Sequence, residues 1–324
     1  MKMKLTRRLL GAWALSLLGL TCAQAQTPAF PSQQIKLIVP YPAGGATDIL
    51  ARMMGQKFSE AWNVPVVVEN KPGAGGTIGN NLVARANPDG YTVLVAITAI
   101  IQQPPLMNLP YDPLKDFAPI TQIAQSPSMF VVPLNSPYQT LKDYIAAVKA
   151  QPATFNYGTY GAGTSSHIQG SLLNLQAGLD QVMVPFQGSA PLMNNLLGGQ
   201  LKSAFVDSAS ARAHIKSFRA LAVTGTQRLP LLPDVPTFKE LGFHSFDPYG
   251  WFGLMLPAAT PAHIVQKFSD EAMKILRMPD VVAKVEGLGL WVGGGKPDEF
   301  AQILRNDAAI YAKIIRDANI KLNP

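Results

Sequence analysis

The chain alternates short apolar segments, glycine-rich turns and amphipathic segments, and this alternation limits its fold more than any other feature. In the first unit, the apolar segment 35–39 is followed by a turn with two prolines and two glycines, and then by apolar residues at helical spacing from Thr47. A short β-branched segment predicts a buried strand, prolines end strand pairing, and glycines allow a tight turn. We therefore expect a strand, a turn and a helix with Ala46 or Thr47 near its cap.

Similar units follow along the chain. Strands are predicted at 64–69 and 91–97, with a helix from Thr77 between them, so the first part reads β-α-β-α-β and predicts parallel strands with right-handed crossovers. A helix capped by Thr140 comes next, and a second β/α series has predicted strands at 155–157, 183–186, 203–206 and 220–223 and a helix from about Ser165. A strand at 251–256 precedes segments predicted to be helical at 262–277, 279–287 and 297–318. Because these last helices are amphipathic, we expect them to pack on the first sheet.

These elements predict an α/β fold with two lobes, each a mostly parallel sheet flanked by helices. Sheets of this kind bind ligands at the carboxyl ends of their strands, so a cleft between the lobes is the expected site. The predicted domain 1 is discontinuous and consists of residues 26–127 and 250–324. The predicted domain 2 consists of residues 128–249.

The first 25 residues are predicted to be a secretory signal peptide. They contain four basic and no acidic residues, an apolar segment at 9–20, and the sequence Ala23-Gln24-Ala25, after which we expect cleavage. The formal net charge of +7 would then fall to +3 (7 − 4), which argues against a nucleic-acid partner. Cys22, which is the single cysteine, would leave with the signal, and the product is predicted to be exported.

Three glycine-rich turns, at 42–47, 72–77 and 161–165, each lie between a predicted strand and a predicted helix. A helix begins with unpaired N–H donors and a partial positive charge, so these turns predict an anion site. The third turn adds the hydroxyls of Thr164, Ser165 and Ser166, with His167 next to them.

Other kinds of site are disfavoured. Ser166 and His167 are adjacent on a helix, so their side chains diverge, and no G-x-S-x-G motif is present; a Ser–His hydrolase is therefore a minor alternative. The glycines at 73–79 do not match a dinucleotide fingerprint. The four histidines have no metal-ligand spacing. We predict no catalytic residues, no cofactor and no metal.

Two acidic residues have open roles. Asp48, in the first turn of the first helix, either caps that helix or fixes the glycine turn. Asp207, at the end of a predicted strand, either receives an amine or hydroxyl of a ligand or caps the helix that follows it.

Several motifs occur in an order that resembles the Bug/TctC family of periplasmic receptors for tripartite tricarboxylate transporters. They are 41–48 (YPAGGATD), 69–76 (ENKPGAGG), 88–91 (PDGY), 109–112 (LPYD), 156–158 (NYG) and 232–237 (LPDVPT). The resemblance implies a Venus-flytrap clamshell that closes on a small carboxylate held by backbone N–H groups and hydroxyls rather than by arginine. It implies these ligand-binding residues: Tyr41, Ala43, Gly44, Gly45, Asp48, Thr98, Gly161, Gly163, Thr164, Ser165, His167 and Asp207.

The segment 96–104 is more apolar than the matching loop of that family, which suggests a ligand with an apolar or aromatic body. The sequence thus predicts a monomeric periplasmic solute-binding protein without catalytic activity, which delivers a mono- or dicarboxylate to the membrane subunits of such a transporter. An open alternative is a ligand sensor that presents its closed form to a membrane receptor or sensor kinase. The sequence leaves the ligand's identity and the choice of Sec or Tat export open.

Overall fold

The computed structural model describes residues 30–152 and 154–322. The predicted signal peptide, including Cys22, and the predicted domain residues 26–29, 323 and 324 lie outside the described residues. The elements below all belong to one compact unit that begins at Gln33.

The first part of the chain forms the predicted β-α-β-α-β arrangement. Its elements are β1 (Ile35–Val39), α1 (Ala46–Trp62), β2 (Val66–Asn70), α2 (Thr77–Ala84) and β3 (Thr92–Ile97). β1 pairs in parallel with both β2 and β3, as the sequence predicts. The glycine-rich turn before α2 contains a single 3-10 turn, Ala74–Gly76.

The middle of the chain forms a second sheet. After α3 (Ala99–Gln102), the elements are β4 (Phe117–Ser126), β5 (Ser128–Pro133), α4 (Leu141–Ala150), β6 (Asn156–Thr159), α5 (Ser165–Ala177), β7 (Val182–Pro185), α6 (Ser189–Leu197), β8 (Ser203–Asp207), α7 (Ser208–Arg212) and β9 (Phe218–Val223). The strand order of this sheet is β7-β6-β8-β5-β9. The predicted cap of α4 is confirmed: Thr140 accepts from the Asp143 N–H in a complete capping box.

The last part of the chain returns to the first sheet. Its elements are β10 (Gly250–Pro257), α8 (Ala262–Ile275), α9 (Pro279–Gly287), β11 (Trp291–Gly294) and α10 (Pro297–Asp317). The first sheet has the order β11-β4-β10-β3-β1-β2. The prediction that the chain beyond 262 is helical missed β11, because two of its four residues are glycines, which are depleted in strands.

Both sheets are mixed, and four of the six strands in the first and four of the five strands in the second run in one direction. β10 is antiparallel to β3 and β4, and β11 is antiparallel to β4. In the second sheet, β5 is antiparallel to β8 and β9, whereas β6 is parallel to β7 and β8. β4 runs directly into β5 across Pro127, and the two strands belong to different sheets. The first sheet draws on residues 35–126 and 250–294 and the second on 128–223; the domain limits given above remain a prediction.

Helix α10 covers the first sheet and fixes one aromatic residue of the candidate site. Phe300, Leu304 and Tyr311 of α10 are buried. The Phe300 ring packs edge-on against Trp251 of β10 with ring centroids 5.2 Å apart, and the Trp251 indole N–H donates to Asp307 at 3.0 Å. Within residues 30–152 and 154–322, no helix combines the length and the apolar character needed to cross a membrane.

Candidate functional site

Residues from both sheets line a shared cavity with a volume of about 50 Å³. The first sheet and its connections contribute Tyr41, Pro42, Gly45, Ala46, Thr47, Ile97, Thr98, Ser126, Gly250, Trp251 and Phe252. The second sheet and its connections contribute Ser128, Tyr160, Ser165, Gly188, Ser189 and Asp207. Among these described residues, none has a formal positive charge, and hydroxyls and backbone groups supply most of the polar atoms.

The start of α1 lies in the cavity wall with its backbone donors uncapped. The N-cap is Gly45, in an extended conformation and with no side-chain hydrogen bond, and Ala46 directly follows it, so the expectation that Ala46 or Thr47 lies near the cap is confirmed. The hydrogen-bond ladder of α1 begins where Ile49 donates to the Gly45 carbonyl at 3.1 Å. The N–H groups of Ala46 and Thr47 therefore precede the ladder, and the partial positive charge of a 17-residue helix adds to them.

Asp48 fixes the turn that leads into this helix. Its carboxylate accepts from the Gly44 N–H at 3.1 Å, from the Asn70 amide at 3.0 Å, and from two guanidinium nitrogens of Arg52 at 2.9 Å each. Burial alone would raise the pKa of Asp48, but the hydrogen bonds from Arg52, Gly44 and Asn70 lower it below its ordinary value of 3.8. Asp48 is therefore ionised at neutral pH and holds the glycine turn in place.

The start of α5 reaches the same cavity from the second sheet. Thr164 is its N-cap residue, and the Thr164 hydroxyl donates to the Gly161 carbonyl at 2.7 Å. The ladder of α5 begins where Ile168 donates to the Thr164 carbonyl at 3.1 Å, so the Ser165 N–H precedes it. The Ser165 hydroxyl accepts from the side-chain nitrogen Nε2 of Gln102 at 2.9 Å. It donates to the side-chain oxygen Oε1 of the same residue at 3.2 Å.

His167 stabilises the third glycine turn as a neutral side chain. It is 3% exposed, and its Nδ1 accepts from the Gly163 N–H at 3.1 Å. Burial lowers the pKa of His167 from 6.5 to about 4, so it carries no charge at neutral pH. The Ser166 hydroxyl accepts from the Tyr160 N–H at 3.0 Å and lies 3.0 Å from the Thr164 hydroxyl. No hydrogen bond joins Ser166 to His167 among the described residues, in keeping with their predicted divergence.

The second and third glycine turns touch each other. A Cβ atom placed on Gly75 would lie 2.8 Å from the Ala162 carbonyl oxygen, and one placed on Gly161 would lie 3.3 Å from the Gly75 Cα. The Gly75 carbonyl accepts from the Tyr41 hydroxyl at 3.0 Å and from the Gln103 amide at 2.9 Å. Elements of the two sheets therefore meet along one side of the cavity.

A second cavity of about 360 Å³ adjoins these turns. It shares Tyr41 and Tyr160 with the first cavity. Its other lining residues are mainly small or apolar: Pro40, Gly73, Ala74, Gly75, Gly76, Met107, Gly161, Ala162, Pro185, Phe186 and Gln187. The two tyrosines thus lie between two adjoining spaces.

Asp207 and Thr98 line the first cavity from opposite sheets. Asp207 ends β8 and caps α7, with its Oδ1 accepting from the Ser210 N–H at 2.8 Å. Burial raises the pKa of Asp207 above its ordinary value of 3.8. The Thr98 hydroxyl accepts from the Trp251 N–H at 2.6 Å, which ties the end of β3 to β10.

The predicted site residues occupy four kinds of position. Tyr41, Gly45, Thr98, Ser165 and Asp207 line the first cavity. Gly161 lines the second cavity. Ala43 and Gly44 are exposed in the first turn, with the Gly44 N–H engaged by Asp48. The remaining four, Asp48, Gly163, Thr164 and His167, are buried and hold the turns in shape.

Sequence reasoning missed several residues of the cavity wall. Gly188 is the N-cap residue of α6 and Ser189 is its first residue, so they form a further strand–glycine–helix junction after β7, which the pattern of the other turns could have revealed. Ser126 and Ser128 flank Pro127 at the passage between the sheets. No local sequence pattern places Trp251 in the cavity wall, because only the order of the strands in the first sheet brings it there. No group of three or more potential metal-ligating side chains occurs within the described ranges.

Comparison with known proteins identifies similar chains. Residues 50–320 match the family model described as "Tripartite tricarboxylate transporter family receptor". A protein from Pseudomonas sp. (strain P51), described as "UPF0065 protein in tcbD-tcbE intergenic region", is 34% identical over 321 residues, which cover 98% of this chain and 96% of that protein.

Two solved structures are similar over almost the whole chain. The periplasmic binding protein BugD is 31% identical with a TM-score of 0.86, and the match covers 90% of this chain and 99% of BugD. MatC from Rhodopseudomonas palustris, solved with bound malate, is 29% identical with a TM-score of 0.83, covering 88% of this chain and 100% of MatC. These likenesses confirm the predicted two-lobed α/β fold class.

Proposed function

This chain belongs to the family of tripartite tricarboxylate transporter receptors, and from that premise we propose that it captures a small mono- or dicarboxylate in the periplasm and delivers it to the membrane subunits of such a transporter. One observation carries the proposal. The starts of α1 and α5, which belong to different sheets, line a single cavity whose described wall has no formal cation. Backbone donors at two helix starts suit a carboxylate head group.

The energetics of this arrangement fit a receptor that releases its ligand. Micromolar binding needs a net free energy of about 8 kcal/mol. A hydrogen bond to a charged group contributes roughly 1.5–3 kcal/mol, and a partly buried helix start up to about 2 kcal/mol. Association itself costs several kcal/mol, on the order of 4 or more. Two helix starts can therefore supply the gross binding free energy, and exclusion of water from the head group together with contacts to the rest of the ligand must offset the cost of association.

The second cavity provides space for the rest of the ligand. It adjoins the first at Tyr41 and Tyr160 and is lined by Met107, Pro185 and Phe186 together with glycine turns. We place the carboxylate in the first cavity and a small, largely apolar body against this wall. MatC, the relative with malate, binds a four-carbon dicarboxylate, and an acid of that size is a reasonable starting point for the ligand here.

Domain closure completes the site in this proposal. The moving bodies are the predicted domain 1 (26–127 and 250–324) and domain 2 (128–249), with export directed by residues 1–25. Contacts between elements of the two sheets, namely Gln102 with Ser165 and Gly75 with Ala162, would form on closing. A closed shape of this kind is what the membrane subunits would recognise.

We propose a binding protein rather than an enzyme. The Ser165 hydroxyl is engaged by Gln102, and the buried His167 accepts from the Gly163 backbone. A serine nucleophile needs a base within hydrogen-bond reach, and neither Ser165 nor Ser166 hydrogen-bonds to a histidine within the described ranges. Ester turnover that disappears in a Ser165→Ala variant would contradict this proposal and favour a periplasmic hydrolase.

A thermal-shift screen of the mature protein at neutral pH tests the function. The ligands are aliphatic and aromatic mono- and dicarboxylates, with the corresponding primary amides as matched controls and with amines and sugars as competing classes. We expect at least one acid to raise the melting temperature by several degrees, as mass action requires of a ligand well above its Kd, and its amide to have no effect. Stabilisation by sugars or simple amines, with none by acids, would contradict the proposal.

A further inference from the structure

Helix α7 joins the two sheets through a pair of hydrogen bonds that neither cavity explains. It lies between β8 and β9 of the second sheet, whereas its partners lie where α9 leads into β11 of the first. The Ser208 hydroxyl donates to the Gly289 carbonyl at 2.8 Å, and the Arg212 Nε donates to the Gly287 carbonyl at 3.1 Å. Among the described residues that line the two cavities, neither Ser208 nor Arg212 occurs. We call these two hydrogen bonds the α7 latch.

The acceptors of the α7 latch lie at the end of α9, in a turn of fixed geometry. The Leu290 N–H donates to the Val285 carbonyl at 3.3 Å. The Gly289 N–H donates to the Glu286 carbonyl at 2.8 Å, and Gly289 has the positive φ, +74°, that such a Schellman motif needs. In the part of the chain that the structure describes, the carbonyls of Gly287 and Gly289 accept from no backbone N–H. Because a helix ends in unpaired carbonyls and a partial negative charge, a hydroxyl and a guanidinium suit this position.

The donors lie on one side of α7, and the start of this helix is fixed at the first cavity. Ser208 and Arg212 are four residues apart, which places them on the same face of a helix. Ser208 is buried and Arg212 is exposed. Asp207, in the wall of the first cavity, accepts from the Ser210 N–H at 2.8 Å and so holds the start of α7. The helix therefore connects the cavity wall to the α7 latch.

We propose, on the basis of the domain closure in the proposed function, that the α7 latch holds the closed form. Ser208 and Arg212 are then positioning residues, which raise the ligand affinity without touching the ligand. Both hydrogen bonds join the predicted domain 2 (128–249) to the predicted domain 1, so they break when the domains separate. The apparent Kd equals the intrinsic Kd divided by the closed fraction. Loss of the α7 latch therefore weakens the binding of every ligand by the same factor, whereas a change in the cavity wall alters the preference among ligands.

Calorimetry and stopped-flow dissociation kinetics test this inference on Ser208→Ala, Arg212→Ala and the double variant. The probes are malate and succinate, and Arg277→Ala, which removes another exposed arginine, is the matched control. We expect each single variant to bind both acids about 2- to 10-fold more weakly, as the loss of one hydrogen bond predicts. The loss should come mainly from faster dissociation, with the ratio of the two affinities unchanged. The control should bind as the wild type does.

Small-angle X-ray scattering of the ligand-free proteins adds a measurement that needs no ligand. We expect the double variant to have a larger radius of gyration than the wild type and Arg277→Ala. If Ser208→Ala does not fold, Arg212→Ala, at an exposed position, provides the test alone and should show the same loss of affinity.

Wild-type affinities and dissociation rates in both single variants, or a loss confined to one acid, would overturn the α7 latch and leave the proposed function standing. If neither these acids nor any other carboxylate binds the wild type, the proposed function fails. Equal radii of gyration of the double variant and the wild type would in that case overturn the α7 latch as well.

Discussion

Gln102 and Ser165 hydrogen-bond to each other in both directions, with the Gln102 amide donating at 2.9 Å and the Ser165 hydroxyl donating back at 3.2 Å. Gln102 ends α3, which follows β3 of the first sheet, and Ser165 begins α5, which follows β6 of the second. Both side chains are buried. Because Ser165 also lines the first cavity, the contact between the two sheets and the wall of the candidate site share one residue.

Replacement of Ser165 is expected to weaken binding. Ser165→Ala removes the hydroxyl from the cavity and leaves the buried Gln102 amide without this partner, which costs about 1–3 kcal/mol, or roughly 5- to 150-fold in affinity. Ser171→Ala, a change in the same helix outside the cavity lining, is the matched control and should bind normally. Calorimetry with the acid found by the thermal-shift screen measures both. Equal affinities of the two variants would show that the Ser165 contact does not matter for the closed form.

A methyl group on Gly75 is expected to obstruct closure. Its Cβ would lie 2.7 Å from the Gln103 amide nitrogen and 2.8 Å from the Ala162 carbonyl oxygen, and the residue has a φ of +63°. Gly178 has nearly the same φ, +61°, and a Cβ there meets nothing within 4 Å. Both Gly→Ala variants should lose about 1–2 kcal/mol of stability from the left-handed backbone, but only Gly75→Ala should lose ligand affinity. If both variants bind as the wild type does, the two glycine turns need no close approach.

The buried His167 is expected to make stability depend on pH between 6.5 and 4. Its pKa falls from 6.5 to about 4 on folding, so below pH 6.5 the unfolded chain takes up a proton that the folded chain does not. The contribution of neutral His167 to the free energy of unfolding is therefore fully present above pH 6.5. It declines by roughly 3 kcal/mol as the pH falls to 4. His167→Asn, which can still accept from Gly163, should lack this part of the decline. Urea unfolding of the wild type and of His167→Asn at several pH values in this range measures the difference. If the free energies of unfolding of the two proteins change in parallel with pH, the pKa of His167 is not lowered by folding.

Asp48 is expected to stabilise the fold above its own pKa. Its folded-state pKa lies below 3.8, so the stabilisation is present above the unfolded value and is lost as the pH falls through the folded one. Asp48→Asn should therefore reduce the free energy of unfolding by about 1–3 kcal/mol at pH 7, with a smaller difference in strong acid. Asp317→Asn, which breaks another i,i+4 pair at an exposed site, should have little effect. Similar losses from the two variants would mean that Asp48 is an ordinary surface partner.

The sequence predicted the elements that have clear local ends. β1 (Ile35–Val39) lies between Gln34 and Pro40, and α9 (Pro279–Gly287) begins with a proline and ends with a glycine, so both were predicted with correct bounds. The short strand β11 and the four-residue helix α3 were missed, because segments of this length have no periodicity to recognise. The antiparallel direction of β10 was also missed, since it depends on how the chain returns to the first sheet.

The sequence likewise predicted the site where local chemistry determines it. The strand–glycine–helix units located the starts of α1 and α5, and both line the cavity. Asp48 fixes the first glycine turn, which is one of the two roles that the sequence left open for it. The engagement of the Gly163 N–H by His167 was not predictable, because this contact depends on the exact course of the third turn. Trp251 comes to the cavity only through the pairing of β10 with β3 and β4.

A crystal structure of the mature protein with the tightest-binding acid is the most direct measurement of the central claim. We predict that the carboxylate oxygens lie 2.7–3.2 Å from N–H or hydroxyl donors of Ala46, Thr47 and Ser165, in the cavity that both sheets line. A head group that lies elsewhere, or that is bound chiefly by an arginine, a lysine or a metal ion, would contradict the claim.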